Sequence, residues 1–253
     1  MKHEPTPTVR AMTWNIHGGI GPDHRFDLRR VVDLVRRWDP DVLAVQEVDS
    51  RHPPAGHGSP FTFLRESLGH HGIEAKSITT ADGDYGQMLI SRWPLEHTVI
   101  HDLTVESREP RRAIETEVLS PSGRFRLVAT HFGLNMRERR RQARRLVEIA
   151  RRHPMTTVML GDFNDWFWPS VFRDALKREM PARTPHPTYP SMFPLLCLDR
   201  IYCWPRECLR RSLVDHRGRA ASDHLPVIAD IAVDCLAEPA QAAARRASGA
   251  NRP

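Results

Sequence analysis

Cysteine is scarce: Cys197, Cys203, Cys208 and Cys235 are the only four in 253 residues. That is too few to staple a chain of this size, so a disulfide scaffold is excluded and reduced thiols are expected. Cys203 and Cys208 lie close together, but their spacing matches no common zinc pattern. No stretch approaches the roughly 18 to 20 uninterrupted apolar residues of a membrane-crossing helix. The opening residues, MKHEPTPTVR, lack the apolar core of a signal peptide. Together these absences lead to the expectation of a cytoplasmic protein. No segment repeats at the roughly 20 to 50 residue periods of solenoids. What is present is the composition of a globular protein, 40% apolar and 27% charged, which rules out disorder throughout and can bury a core in one large domain or two small ones.

The net charge of +6 invites a nucleic-acid or membrane-surface reading, but its location changes the argument. Between Arg137 and Arg152 stand eight arginines and two glutamates, an excess equal to that of the whole chain. Beyond Leu236, three arginines face one glutamate. The remaining body is therefore mildly acidic, at −2, which argues modestly against extended duplex binding.

Short β-type runs alternate with amphipathic helical patterns, which points to an α/β or layered α+β fold rich in sheet. Strands are expected at Val9 to Ile16, Val42 to Glu47, Gln87 to Ser91, Ala113 to Val118, Phe125 to His131, Thr156 to Gly161, Leu198 to Cys203 and Pro226 to Ile231. One helix starts at the N-cap Asp27 and places Leu28, Val31, Val32 and Val35 on one face. A second sets Ala143, Leu146, Val147 and Ala150 opposite Arg137, Arg141, Arg145 and Arg152, and its basic side reads as a solvated face. The Pro- and His-rich segments Arg51 to Pro60 and Pro181 to Pro194 read as surface loops. Residues 9–235 are expected to form one folded domain and 236–253 a disordered basic tail.

Acids, amides and histidines sit at nearly every strand end. TWNIH carries Asn15, VLAVQE ends in Gln46 and Glu47, and LVATH ends in His131. VMLGDFN continues with Asp162 and Asn164, LDRIY carries Asp199, and SDHLP opens a strand with Asp223 and His224. Taken singly, Asn15 reads as a turn residue, Asp162, Asn164 and Asp223 as turns or caps, His131 and His224 as satisfied polar residues, and Glu47 as an ion-pair member. Carboxylates directly after apolar strands are expensive to bury unless paired, hydrogen-bonded or metal-bound, so their joint recurrence suggests one shared site.

The segments TWNIHGG, PDVLAVQEVD, YGQMLISR, THFGL, GDFND, LDRIY and SDHLPV, in this order over roughly Val9 to Ile231, resemble the metal-dependent endonuclease/exonuclease/phosphatase superfamily. That superfamily includes pancreatic-type deoxyribonucleases, apurinic endonucleases, inositol polyphosphate phosphatases and bacterial sphingomyelinases; the match is best to small, poorly characterised bacterial members. The resemblance implies a four-layered α/β sandwich, two packed β-sheets flanked by helices, with the site at one end of the sheets. It implies Glu47 as the principal ligand of a cation, with Asn15 beside it and Asp223 near it. An all-oxygen set of this kind suits Mg²⁺ or Mn²⁺. It further implies that Asp162 orients or deprotonates the attacking water, that Asn164 helps hold the phosphate, and that His224 steadies transition-state charge. Asp199 would fix the tautomer of His224, and His131 would contact phosphate or act as an acid.

Three further residues are candidates for substrate contacts. Arg111 and Arg112 could grip a second phosphate or an anionic head group, although an ion-paired or solvated role is equally open. Trp166, like Trp168, could stack on a base or contact an acyl chain, with core packing as the alternative. The expected activity is hydrolysis of a phosphodiester or phosphomonoester by a monomer, with nucleic acid or an anionic lipid head group as possible substrate classes. A non-catalytic relative would be expected to lose one of Glu47, Asp162, Asn164, Asp199, Asp223 and His224, and none is missing.

Overall fold

The computed structural model describes residues 7–51, 58–69, 71–151, 155–166 and 171–234. In chain order its strands are β1 (Thr8–Asn15), β2 (Val42–Asp49), β3 (His71–Thr80), β4 (Gly83–Ser91), β5 (Leu95–Asp102) and β6 (Arg112–Ser120). They continue with β7 (Gly123–His131), β8 (Thr157–Asp162), β9 (Ala182–Arg183), β10 (Asp199–Trp204), β11 (Leu209–Val214) and β12 (Val227–Ala232). The helices are α1 (Leu28–Trp38), α2 (Pro60–Leu68), α3 (Met136–Ala150) and α4 (Val171–Glu179).

Two six-stranded sheets form, ordered β11-β12-β1-β2-β4-β3 and β5-β6-β7-β8-β10-β9. Each is centred on one parallel pair, β1 with β2 and β7 with β8, joined through α1 and α3 respectively. All other pairings are antiparallel. Period-2 alternation sorts the side chains between layers. Val9 and Ala11 of β1, Val42 and Ala44 of β2, Leu127 and Ala129 of β7, and Val158 and Leu160 of β8 share the core between the sheets. Their neighbours face outward. Met12, Trp14, Leu43 and Val45 pack against α1 and α2, while Val128 and Met159 pack against α3 and α4. The expected four-layered sandwich is therefore the observed one.

All eight expected strands are present with shifted ends; the largest shift is at β4, which starts at Gly83 rather than Gln87. Strands β3, β5, β9 and β11 and helices α2 and α4 fall outside the expected elements. β3 and β5 are edge strands, half-buried and largely exposed respectively, so they carry no continuous apolar run for a pattern to detect. The segment read as a loop from Pro181 contains β9, and Pro60, read as the end of another loop, is the first residue of α2. Asp27 does cap α1, its side chain accepting a hydrogen bond from the Arg29 amide at 2.9 Å. In α3, Arg137, Arg141 and Arg145 are exposed as expected, whereas Arg139 is buried. The proposed tail, Cys235, Trp168 and Arg152 lie outside the described residues. Among the described residues no helix is long and apolar enough to cross a membrane.

Candidate active site

The inner-face alternation that builds the core continues into polar residues at one end of the molecule. On β1 the series runs Val9, Ala11, Thr13, Asn15; on β7 it runs Leu127, Ala129, His131; on β8, Val158, Leu160, Asp162. β10 is antiparallel to β8, with Asp199 opposite Asp162 in register. The same end of the sandwich thus collects the terminal inward side chains of these four strands, the last of β1, β7 and β8 and the first of β10.

Asn15 is the hub. Its Nδ2 donates to Glu47 Oε1 at 2.8 Å and to Asp162 Oδ2 at 3.0 Å, while its Oδ1 accepts from the His17 amide at 3.1 Å. His131 Nε2 lies 3.8 Å from Glu47 Oε1 and 3.7 Å from Asp162 Oδ2. His224 Nδ1 is 2.8 Å from Asp199 Oδ2 and 4.0 Å from Asp162 Oδ2. Asp199 Oδ2 also accepts from the Thr188 hydroxyl at 2.6 Å. Asp223 joins through His17, whose Nδ1 stands 3.6 Å from Asp223 Oδ1 and 3.8 Å from Glu47 Oε2. Side chains from β1, β2, β7, β8 and β10 and from the segments that follow β1 and precede β12 therefore form one contiguous cluster.

Backbone irregularities aim several of these groups. The pairing of β2 with β4 shifts register between Gln46 and Val48, and Glu47 at this bulge has φ 57°. Strict alternation would leave Glu47 on the face of Val45, away from the site; the bulge turns its carboxylate toward Asn15. Asn164 also has positive φ, 48°. Its amide N–H binds Asp162 Oδ1 at 2.8 Å, and its side-chain Nδ2 donates to Phe132 O at 2.8 Å, which ties the GDFN turn to the end of β7. Gly161 is required here: at φ 148° a Cβ would lie 1.9 Å from Thr130 O. Such local strain concentrates where side chains must be held in fixed positions.

The electrostatics follow from burial and pairing. Burial, reinforced by Asp199, pushes Asp162 up to about 7. Burial disfavours the cation of His224, but Asp199, by charge and hydrogen bond, together with Asp162 and Asp223, outweighs it and raises His224 to about 10. His131 moves the other way: burial, with Arg111 and His224 nearby, holds it well below its ordinary value and leaves it neutral. The site thus contains a cationic imidazole and a neutral one, with a protonatable carboxyl between them.

The donor set fits a hard divalent cation. Glu47 and Asp223 offer carboxylate oxygens to the partly open side of the cluster, their side chains 26% and 38% exposed. Asp162, Asp199 and His224 also lie within metal-binding distance of one another. That inner group is buried and its Asp199 and His224 are bonded to each other, so the partly open Glu47 and Asp223 edge is the better seat for a hydrated ion.

The substrate-contact candidates separate. Arg111 is buried, pairs with Glu109 at 2.5 Å, contacts Tyr85 and feels Glu47, which brings it to the border of the cluster. Arg112 instead pairs with Asp102 at 3.2 Å, and none of its described contacts is with a site residue. Trp166 is 44% exposed under the guanidinium of Arg139, at 6.0 Å, so its indole belongs to the rim rather than the core. Sequence reading assigned no role to His17, Thr188 or Ser222. Ser222 accepts the His224 amide at 3.1 Å and donates to Asn15 O at 2.7 Å. For His17 a signal was present: it stands two residues after Asn15 and precedes two glycines; in the structure His17 and both glycines have positive φ. Thr188 lies in a loop with no periodic signal.

The chain matches the model of the Endonuclease/Exonuclease/phosphatase family over residues 12–224. It is 29% identical to the uncharacterized protein YbhP of Escherichia coli strain K12, covering 88% of this chain and 96% of that protein. Among solved structures it is similar to an endonuclease/exonuclease/phosphatase from Beutenbergia cavernae, with TM-score 0.76 and 22% identity over 89% of this chain and 71% of that one. It is also similar to a mannosyl-6-phosphatase of Bacteroides thetaiotaomicron, with TM-score 0.66 and 16% identity over 87% of this chain and 98% of that one.

Proposed function

Because the chain belongs to the endonuclease/exonuclease/phosphatase family, whose members are generally phosphoester hydrolases, we propose that it is a divalent-metal-dependent phosphoester hydrolase, most simply a phosphodiesterase. The observation that carries this reading is the convergence of Asn15, Glu47, His131, Asp162 and the Asp199–His224 pair at one end of the sheets. A structural cluster of turns and caps needs no buried carboxyl poised near neutrality beside a buried imidazolium.

In this reading a water attacks phosphorus in line and Asp162 takes its proton as the new P–O bond forms. The bond to the leaving oxygen breaks on the opposite side, and that oxygen takes up a proton from solvent. His224, its Nδ1 bonded to Asp199, points Nε2 at a non-bridging oxygen and stabilises the growing negative charge. His131 adds a neutral donor beside it. Glu47, Asn15 and Asp223 would hold Mg²⁺ or Mn²⁺, which when bound supplies neutralisation of phosphate charge. His17, between the two carboxylates, adds a nitrogen donor to that edge. Arg111 stands where a second anionic group would meet it.

The test is hydrolysis of bis-p-nitrophenyl phosphate with Mg²⁺ or Mn²⁺ by the wild type and by Glu47→Ala and His224→Ala. Both variants are expected to lose activity by about 10²-fold or more while keeping the wild-type circular dichroism. Full activity in either, or no turnover by the wild type with any divalent metal, defeats the proposal.

A further inference from the structure

Nine large hydrophobic side chains are exposed among the described residues, and their distribution is uneven. Val99 and Ile100 lie on β5, the edge of its sheet. The other seven follow or flank the site residues in sequence. Leu134 and Met136 come just after His131, Trp166 just after Asn164, and Ile20 just after His17. Met192, Phe193 and Leu195 stand between Thr188 and Asp199.

Contacts tie two of the segments that carry these side chains to the site, one on each side. Arg139 donates to Leu134 O and lies 6.0 Å over the Trp166 ring, which joins the ends of β7 and β8 on one side. On the other side the Ser191 amide bonds Asp223 O at 2.7 Å, Ser191 Oγ bonds Ser222 O at 2.8 Å, and the Tyr189 ring sits 4.9 Å from His224. The turn closed by Phe193 N to Pro190 O, at 3.0 Å, then presents Phe193 and Leu195 to solvent, 76% and 77% exposed. Exposed large apolar side chains concentrated on segments that adjoin a polar centre mark a contact surface.

Charge identifies the partner. Helix α3 starts at Met136, directly from the first of these segments, and exposes Arg137, Arg140, Arg141 and Arg144, which have no ion pair among the described residues. An apolar fringe beside unpaired arginines matches an anionic bilayer, where side chains enter the headgroup and acyl boundary while the cations meet lipid phosphates. Five of the seven side chains are aliphatic or methionine, which suits acyl chains better than the aromatic platforms on which bases stack.

We propose that the face surrounding the active site docks on anionic phospholipid surfaces. The docking does not depend on the hydrolase reading above. The basic helix thereby has a purpose that the compact cluster leaves unexplained.

The experiment is sedimentation of the full chain with phosphatidylcholine vesicles, with and without phosphatidylglycerol, alongside bis-p-nitrophenyl phosphate turnover. Wild type is expected to sediment with the anionic vesicles and to be released by salt. Replacing both Phe193→Ser and Leu195→Ser should lower the partition coefficient by at least about tenfold. Arg140→Glu with Arg141→Glu should reduce the preference for anionic vesicles by on the order of tenfold or more. Both variants should keep wild-type turnover of the soluble ester. Wild type left in the supernatant, or variants that sediment as wild type does, overturns the docking surface. Binding to a single-stranded oligonucleotide that these substitutions abolish, without vesicle binding, overturns it in favour of nucleic acid. Vesicle binding lost in the variants, with no ester hydrolysed by the wild type, leaves the surface standing and removes the hydrolase reading instead.

Discussion

Replacing Asp199 by asparagine tests the site at its most buried point. Asp199 is fully enclosed, and its Oδ2 accepts from Thr188 Oγ1 at 2.6 Å and meets His224 Nδ1 at 2.8 Å. Burial works against the His224 cation, and the charge of Asp199 is the largest of the influences that reverse it and raise the imidazole to about 10. An asparagine side chain can still accept through its amide oxygen, so size and one hydrogen bond survive while the charge is lost. His224 then falls back toward its ordinary value of 6.5, and its protonated fraction at about pH 7.5 shrinks. Loss of a prearranged charged donor at a developing oxyanion costs about 10² to 10³ in rate, or ~2.7 to 4 kcal/mol. The expected result is a kcat for bis-p-nitrophenyl phosphate about 10²-fold lower at about pH 7.5, with part of the loss recovered toward about pH 6. In the metal-free protein, NMR titration of the His224 ring should show the accompanying fall in its pKa. A kcat and pH profile unchanged by Asp199→Asn would refute this account of how His224 is held cationic and used.

Two other outcomes follow from the same geometry. Gly161→Ala should destabilise the fold by about 3 kcal/mol or more in chemical denaturation, because its Cβ would lie 1.9 Å from Thr130 O on a left-handed backbone; a change within experimental error would show that β7 and β8 separate easily. The metal-free protein should also lose stability as pH rises through two windows. Asp162 is raised from 3.8 to about 7, so its contribution is present below 3.8 and is lost as pH rises through 7. His224 is raised from 6.5 to about 10, so its contribution is complete below 6.5 and disappears as pH climbs through 10. Thermal melts across pH should show both declines, and Asp162→Asn should remove the lower one; a wild-type melting temperature that rises between about pH 4 and 7 in the same proportion as in Asp162→Asn would contradict the assignment.

Much of the site was legible because strands enforce a two-residue period. Val158 and Leu160 lead to Asp162 on one face, and Leu127 and Ala129 lead to His131, so apolar alternation ending in a polar residue is visible without coordinates. Glu47 was legible as a residue type but not as an inward group, since alternation alone assigns it to the outer face. Only the register shift against β4 turns it. Arg111 and Arg112 were equivalent neighbours in sequence. Packing separated them, burying Arg111 against Tyr85 and Glu109 while Arg112 paired with Asp102.

The sequence by itself determined the layered class, eight of the strands and the residue types gathered at their ends, because local alternation and strand-end polarity are properties of consecutive residues. It also located the positive charge in one helix and the terminal segment rather than in the body. The tertiary structure decided which of those polar groups meet. Asn15 and Asp162 are 147 positions apart yet bonded at 3.0 Å, and the apolar side chains of two remote loops stand at the rim of the same site. Those relations arise from the stacking of two sheets and the burial that accompanies it, and burial is also what sets the protonation of Asp162, His131 and His224.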